Sequence, residues 1–119
     1  MRVQIWRNEE IIGGEVYLAA NFFCRLRGLL FREELKEGEG LLLVSCRQVH
    51  TFLMSFVIDV LFLDKAGLVV EILPEMAPGR ISPLVQGAYQ VLELPAGTIN
   101  KKGLQKGERL FIRNNTTEV

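Results

Sequence analysis

The fold is decided by residues 56–73, which read Phe56-Val57-Ile58-Asp59-Val60-Leu61-Phe62-Leu63-Asp64-Lys65-Ala66-Gly67-Leu68-Val69-Val70-Glu71-Ile72-Leu73. The first half is rich in β-branched and aromatic residues and is too continuously apolar for a strand with one face in water. Residues 64–67 have the composition of a tight turn, and the second half is again apolar. The stretch therefore predicts a β-hairpin in the centre of a sheet.

Shorter segments with strand patterning flank this hairpin on both sides. The predicted strands are residues 3–6, 15–18, 41–44, 56–63, 68–73, 89–94 and 110–112. The turn after the first strand is assigned to residues 8–10 with Gly13-Gly14, and Pro95-Ala96-Gly97 ends the sixth strand in a loop. Residues 114–119 are expected to form a frayed tail.

One helix is predicted. Asn21 can cap it, and its apolar residues fall on one stripe: Phe22, Phe23, Leu26, Leu29 and Leu30. The polar run at residues 32–40 is typical of an exposed loop. Short strands with one small helix predict a mainly β, single-domain protein over residues 1–119. We expect a β-sandwich or partly open barrel, jelly-roll-like, with the helix in the N-terminal half.

Composition limits the classes of partner. The chain has 119 residues, with fourteen basic and fourteen acidic side chains, so it offers no overall positive field to attract nucleic acid. Residues 1–10 lack the apolar run of a secretory signal, which favours a cytoplasmic location. Residues 41–63 are long enough to span a bilayer but include Arg47, His50 and Asp59, so we expect buried strands and no membrane association.

The densest group of reactive side chains is Cys46, His50 and Met54, spaced four residues apart. Thiolate, imidazole and thioether groups are ligands that soft metals prefer. The alternative is that Cys46 and Met54 fill the core while His50 is hydrogen-bonded at its edge. Because a fourth donor is missing, we predict no metal and no cofactor. Nucleophilic catalysis by Cys46 with His50 would require an accessible, electropositive setting.

Two carboxylates fall inside apolar strands. Asp59 must be solvated, paired or hydrogen-bonded if its strand is central. Its partner could be an arginine, namely Arg25, Arg27, Arg47 or Arg80, or it could accept backbone N–H groups or serve a pocket. Glu93 poses the same question, although strand alternation could place it in solvent. The sequence contains no phosphate-binding loop, serine elbow, HExxH or spaced CxxC pair.

Four segments together resemble the domain of unknown function 192 family. They are Asn21-Phe22-Phe23-Cys24-Arg25-Leu26-Arg27-Gly28-Leu29-Leu30, Gly40-Leu41-Leu42-Leu43, His50-Thr51-Phe52-Leu53-Met54 with Ile58-Asp59-Val60-Leu61-Phe62-Leu63-Asp64, and Val91-Leu92-Glu93-Leu94-Pro95-Ala96-Gly97. The most specific part is Phe52 and Met54 followed by Asp59. The resemblance covers nearly the whole chain.

The resemblance implies a small, mainly β, jelly-roll-like domain and implies no known reaction. It gives emphasis to Arg27, Gly28, His50, Met54, Asp59, Glu93 and Gly97. The chain departs from the family pattern at Val57, where relatives usually have Pro, and at Ser55, where a basic residue is often found.

Two main hypotheses for function follow. The first is a binding domain without catalysis that holds a small molecule or a protein partner. Its candidate contacts are Arg27, His50, Thr51, Met54, Asp59 and Glu93. The second is an enzyme in which Asp59 or His50 is the acid or base and an arginine anchors an anion. A homodimer would be compatible with either. Catalysis requires the polar groups to converge in one concave place, whereas binding does not.

Overall fold

The structure is a computed structural model that describes residues 1–19, 34–52 and 54–114. The elements in these ranges are β1 (Arg2–Arg7), β2 (Glu10–Ala19), β3 (Glu39–Val44), β4 (Ile58–Leu63), β5 (Val69–Met76), β6 (Gln90–Pro95), α1 (Thr98–Lys102) and β7 (Phe111–Asn114). The helix predicted to begin at Asn21 lies outside the described residues. So do residues 115–119 of the predicted tail, whereas Asn114 is the last residue of β7.

The seven described strands form one sheet in the order β5-β4-β6-β3-β2-β1-β7. Neighbouring strands are antiparallel except β2 and β3, which are parallel. Leu68, just before β5, forms a bridge with Arg109, just before β7. The sheet therefore curls until its two edges meet at one end. The mainly β prediction is confirmed, and the architecture is that of a partly open barrel.

The predicted hairpin is formed by β4 and β5, and its turn is held by Asp64. One carboxylate oxygen of Asp64 accepts hydrogen bonds from the amides of Ala66 and Leu68, both at 2.9 Å. Gly67 has a φ of +90°, and an added Cβ would clash with the carbonyl oxygen of Leu110. Glycine is required here both for the backbone angle and for the contact that closes the barrel.

Side chains alternate along the strands, so each face of the sheet buries its own apolar cluster. The inner cluster gathers side chains from β1 to β6 and from α1, among them Ile5, Val16, Leu42, Leu61, Val69, Leu92, Leu94 and Ile99. The outer cluster lies on the opposite face and includes Leu41, Leu43, Ile58, Val60, Phe62 and Val91. The outer face is closed by connecting segments rather than by a second sheet of described strands.

One local prediction was wrong, and one short helix was missed. Gly13 and Gly14 lie inside β2, and the chain reverses at residues 8–9, where Asn8 has a φ of 54°. A Cβ on Gly13 would come within 2.8 Å of Val16, so this glycine permits close packing in an irregular part of the β1–β2 ladder. The loop predicted to end the sixth strand is present at residues 96–97 and leads into α1. This helix was not predicted, because its five residues bury only Ile99 and are too few to show a helical period.

Candidate binding surface

Two connecting segments lie over the outer cluster, and we call them the cover: residues 45–57 without 53, and residues 77–89. Val49, Met54 and Ala88 of the cover are buried in the outer cluster. Five backbone hydrogen bonds of 2.8 to 2.9 Å join the two segments. Four run from the amides of Cys46, Thr51, Ser82 and Val85 to the carbonyls of Tyr89, Arg80, Val49 and Arg47, respectively, and the fifth runs from the amide of Gly79 to the carbonyl of Thr51. The cover is therefore a ribbon with a fixed backbone, despite its prolines and glycines.

Thr51 fastens one end of this ribbon. Its side chain is fully buried. The hydroxyl donates to the carbonyl oxygen of Ala77 at 2.6 Å and accepts from the amide of Arg80 at 2.9 Å. Its backbone carbonyl accepts from the amide of Gly79 at 2.9 Å. Thr51 was predicted as a contact residue, but its buried hydroxyl positions residues 77–80.

The outward side of the cover presents large apolar side chains. Phe52 is 44% exposed, Ile81 is 59% exposed and Leu84 is 62% exposed. His50 is half-buried, forms a bridge with Ile81 and stacks on Phe52 with the ring centroids 5.0 Å apart. The amide of Phe52 donates to Nδ1 of His50 at 3.2 Å, so the neutral imidazole carries its proton on Nε2. We call His50, Phe52, Ile81 and Leu84 the apolar surface.

The three residues considered as soft-metal ligands have different surroundings. The Cys46 thiol donates to the carbonyl oxygen of Gln48 at 3.1 Å, and Met54 is buried in the outer cluster. His50 stacks on Phe52 at the surface of the cover. Within residues 1–19, 34–52 and 54–114, no three His, Cys, Asp or Glu side chains gather as a metal site.

Asp59 lies on the inner face, because its neighbours Ile58 and Val60 both point into the outer cluster. It is fully buried, and its two carboxylate oxygens accept from the amides of Glu75 at 2.8 Å and Ile99 at 2.7 Å. Glu75, whose φ is 54°, lies in the irregular part of β5 opposite Asp59. Of the partners considered from the sequence, backbone N–H groups are therefore the ones observed.

Glu93 faces the other way. It is fully buried and lies in register between Leu41 of β3 and Val60 of β4, two members of the outer cluster. Glu93 and Met54 therefore belong to the outer side of the sheet and Asp59 to the inner side. Arg27, the remaining candidate, lies outside the described residues.

The far end of α1 is held by Arg7. Its guanidinium donates to the carbonyl oxygen of Lys102 at 2.6 Å and pairs with Glu10 at 2.8 Å and Glu108 at 3.1 Å. The hydrogen bond with Glu10, reinforced by Glu108, raises the pKa of Arg7 although partial burial opposes this. Asp59 and Arg7 thus hold opposite ends of α1, and neither was predicted from the sequence to do so.

Cavities of about 250 and 400 Å³ flank α1 and lie away from the cover. The smaller one has the ion pair of Lys101 and Glu37 at its rim, at 3.0 Å, and this hydrogen bond lowers the pKa of Glu37. The larger is lined by Pro74, Glu75 and residues around α1. Of the predicted contact residues that the structure describes, His50, Thr51, Met54, Asp59 and Glu93, none lines either cavity.

Sequence reasoning missed Ile81 and Leu84. Both lie in a connection punctuated by Pro78, Gly79 and Pro83, where the absence of a strand pattern gave no reason to expect a fixed surface. The available signal was the presence of large aliphatic residues in a loop-forming segment.

A single curled sheet with a short helix and an outer cover places this chain in a class of small, mainly β proteins with solved members. A crystal structure of a proposed transcription regulator from Sinorhizobium meliloti 1021 matches with a TM-score of 0.78 and 26% identity, over 93% of this chain and 92% of that one. A protein of unknown function from Novosphingobium aromaticivorans DSM 12444 matches with a TM-score of 0.79 and 20% identity, over 93% of this chain and 84% of that one.

Residues 3–112 match the model of the DUF192 family, described as "Uncharacterized ACR", and the chain belongs to this family. A UPF0127 protein of Thermococcus sibiricus (strain DSM 12597 / MM 739) is 32% identical over 101 residues. The match spans 82% of this chain and 65% of that relative, so this chain covers less than two thirds of the relative's length. The family resemblance seen in the sequence is confirmed, and the family description assigns no activity.

Proposed function

We propose that this domain binds a protein partner, without catalysis, on the apolar surface of the cover. The observation that carries the proposal is the exposure of Phe52, Ile81 and Leu84 on a ribbon whose backbone is fixed by hydrogen bonds. Clustered exposed apolar side chains are typical of interaction sites. A backbone that is already ordered loses little conformational entropy when a partner binds.

Another exposed apolar group lies across β2, β1 and β7, where Ile11 and Phe111 flank Trp6. The Trp6 ring is covered by the guanidinium of Arg113, 4.6 Å from the ring centroid, and its Nε1 donates to Gln4 at 3.0 Å. Since Trp6 already has partners within the chain, we favour the cover as the binding site.

The alternative of an enzyme using Asp59 or His50 receives less support from the geometry. The two residues lie on opposite sides of the sheet, and both oxygens of Asp59 accept backbone hydrogen bonds. A catalytic site would bring such groups together.

A cytoplasmic location forms part of the proposal. Among the described residues, no helix is both long and apolar enough to cross a bilayer. We do not propose that this chain regulates transcription, as is proposed for the Sinorhizobium protein. A net charge of zero does not favour binding to DNA.

The test is selection of binding peptides from a random display library on immobilised protein. The wild type should enrich a set of related peptides. The double variant Phe52→Ser/Ile81→Ser should lose this enrichment, because it removes the apolar contacts and leaves the backbone hydrogen bonds of the cover in place.

Phe111→Ser is the matched control, since Phe111 is 39% exposed and lies outside the cover. It should enrich the same peptides as the wild type. The proposal fails if the wild type enriches nothing, or if the double variant enriches the same peptides. Thermal melting of each variant checks that the fold is retained, because exposed substitutions usually change stability by only about 0.5 kcal/mol.

A further inference from the structure

The cover has an unusual charge distribution. Neither residues 45–57 nor residues 77–89 contain Asp or Glu, so all fourteen carboxylate side chains lie elsewhere in the chain. Apart from His50, the ionisable side chains of the cover that carry charge at neutral pH are Arg47 and Arg80. A partner therefore meets apolar and cationic groups on this face and no acidic side chain of the cover.

Arg80 lies directly beside the apolar surface. It is exposed, and its side chain forms no ion pair with any residue in the described ranges. Its backbone is held by Thr51, whose hydroxyl accepts from the Arg80 amide at 2.9 Å and whose amide donates to the Arg80 carbonyl at 2.8 Å. The next residue is Ile81, so this fixed backbone places a cation beside an exposed apolar side chain.

The other end of the ribbon is also cationic. Arg47 is exposed, and its carbonyl accepts from the amide of Val85 at 2.9 Å. Nearby, the ammonium group of Lys65 lies 5.1 Å from the centroid of the Tyr89 ring. The backbone carbonyl of Tyr89 accepts a hydrogen bond from the amide of Cys46, next to Arg47. The apolar surface thus lies between cationic groups at both ends of the cover.

We infer that the partner is an acidic protein segment, in which Asp or Glu side chains flank a large apolar residue. This inference rests on the proposed function and names the chemistry of its partner. The apolar residue packs against Phe52 and Ile81, and a carboxylate pairs with Arg80. Arginine suits this role because its planar group can donate two parallel hydrogen bonds to one carboxylate.

Charge argues against two other occupants. A second copy of this chain, related by a two-fold axis, would place the same cationic groups opposite one another. An anionic bilayer is bound by sites with about four to eight clustered basic residues, more than the cover provides.

The experiment repeats the peptide selection with Arg80→Glu and with the control Arg109→Glu. Arg109 is also exposed and lies outside the cover. The wild type and Arg109→Glu should enrich peptides that combine acidic and apolar residues. Arg80→Glu should bind the most enriched synthetic peptide about tenfold more weakly in fluorescence anisotropy, a loss expected for one charge pair. Binding to the wild type should weaken as salt is added.

Each remaining outcome overturns the inference. Enrichment of neutral or basic peptides, lost in Phe52→Ser/Ile81→Ser, would leave the proposed function standing and refute the acidic partner. Co-sedimentation of the wild type with phosphatidylserine vesicles, with no peptide enriched, would indicate a bilayer and refute both. Self-association in sedimentation velocity that is lost in Phe52→Ser/Ile81→Ser would assign the surface to a second copy.

Discussion

Asp59 shows how a single buried carboxylate can connect separate parts of a fold. It lies on β4 and accepts one hydrogen bond from the irregular part of β5 and another from the first turn of α1. The two amides are favourable for the carboxylate because Asp59 is fully buried and needs hydrogen-bond donors, and bonds to a charged acceptor are strong. The carboxylate therefore stabilises the position of α1 at the end of the barrel.

Replacing Asp59 with Asn should destabilise the protein. The amide side chain has one acceptor oxygen, so one of the two backbone N–H groups must face an NH₂ group instead of an oxygen. We expect a loss of about 2 kcal/mol, typical of hydrogen bonds to a charged group. In a domain of this size, this corresponds to a fall in melting temperature of about 8 °C.

Glu75→Gln provides the control for Asp59→Asn. Glu75 is the neighbouring carboxylate, and its side chain is exposed, so its melting temperature should stay close to that of the wild type. An unchanged melting temperature for Asp59→Asn would contradict a structural role for this carboxylate.

At the residue scale, the sequence predicted that Asp59 needs a partner but not which one. A carboxylate in an apolar strand must be satisfied, and this follows from the residue type alone. The donors are the amides of Glu75 and Ile99. Their positions depend on the irregular part of β5 and on α1, a helix too short to predict from the sequence. The same limit applies to Thr51, whose acceptor at Ala77 lies in a segment without strand pattern.

At the scale of elements, the turn between β4 and β5 is also the point where the barrel closes. The backbone carbonyl of Gly67 accepts a hydrogen bond from the amide of Leu110 at 2.9 Å. The Cα of Gly67 also packs directly against the Leu110 backbone. Gly87 has nearly the same φ, +89°, but nothing lies within 4 Å of its missing Cβ. Comparing alanine substitutions at Gly67 and Gly87 therefore separates the cost of a positive φ from the cost of a steric clash at Cβ.

Gly67→Ala should therefore cost much more stability than Gly87→Ala. The shared penalty for a positive φ is about 1 to 2 kcal/mol. The clash with the Leu110 carbonyl adds a cost of overpacking, so we expect about 3 kcal/mol or more for Gly67→Ala. Urea unfolding of the two variants measures the difference. Equal losses of stability in the two variants would contradict a close contact between Gly67 and the Leu110 backbone.

Elements with a strong local pattern were predicted from the sequence, whereas those that depend on distant contacts were not. The hairpin of β4 and β5 was predicted because continuous apolar runs and an Asp-x-x-Gly turn agree locally. The parallel pairing of β2 and β3 has no comparable local sequence pattern. The strand order follows from long-range contacts, and α1 depends on Asp59 and Arg7 at its two ends.

At the scale of the whole molecule, the curled sheet separates two environments. The inner cluster is closed by α1 and by the contact of Leu68 with Arg109. The outer cluster is closed by the cover, which also presents the apolar surface. His50 and Asp59 are nine residues apart in the sequence but lie on different sides of the sheet. Their spacing therefore could not show whether they act together.

The most direct test of binding at the cover is chemical-shift mapping with ¹⁵N-labelled protein and the most strongly selected peptide. The amide resonances of residues 47–52, 80–82, 84 and 85 should shift as peptide is added, because these residues form the ribbon that carries the apolar surface. The amide resonances of Ile99 and Leu104 and the indole resonance of Trp6 should not shift. Shifts centred on α1 or on Trp6, with the cover unaffected, would contradict the proposed binding site.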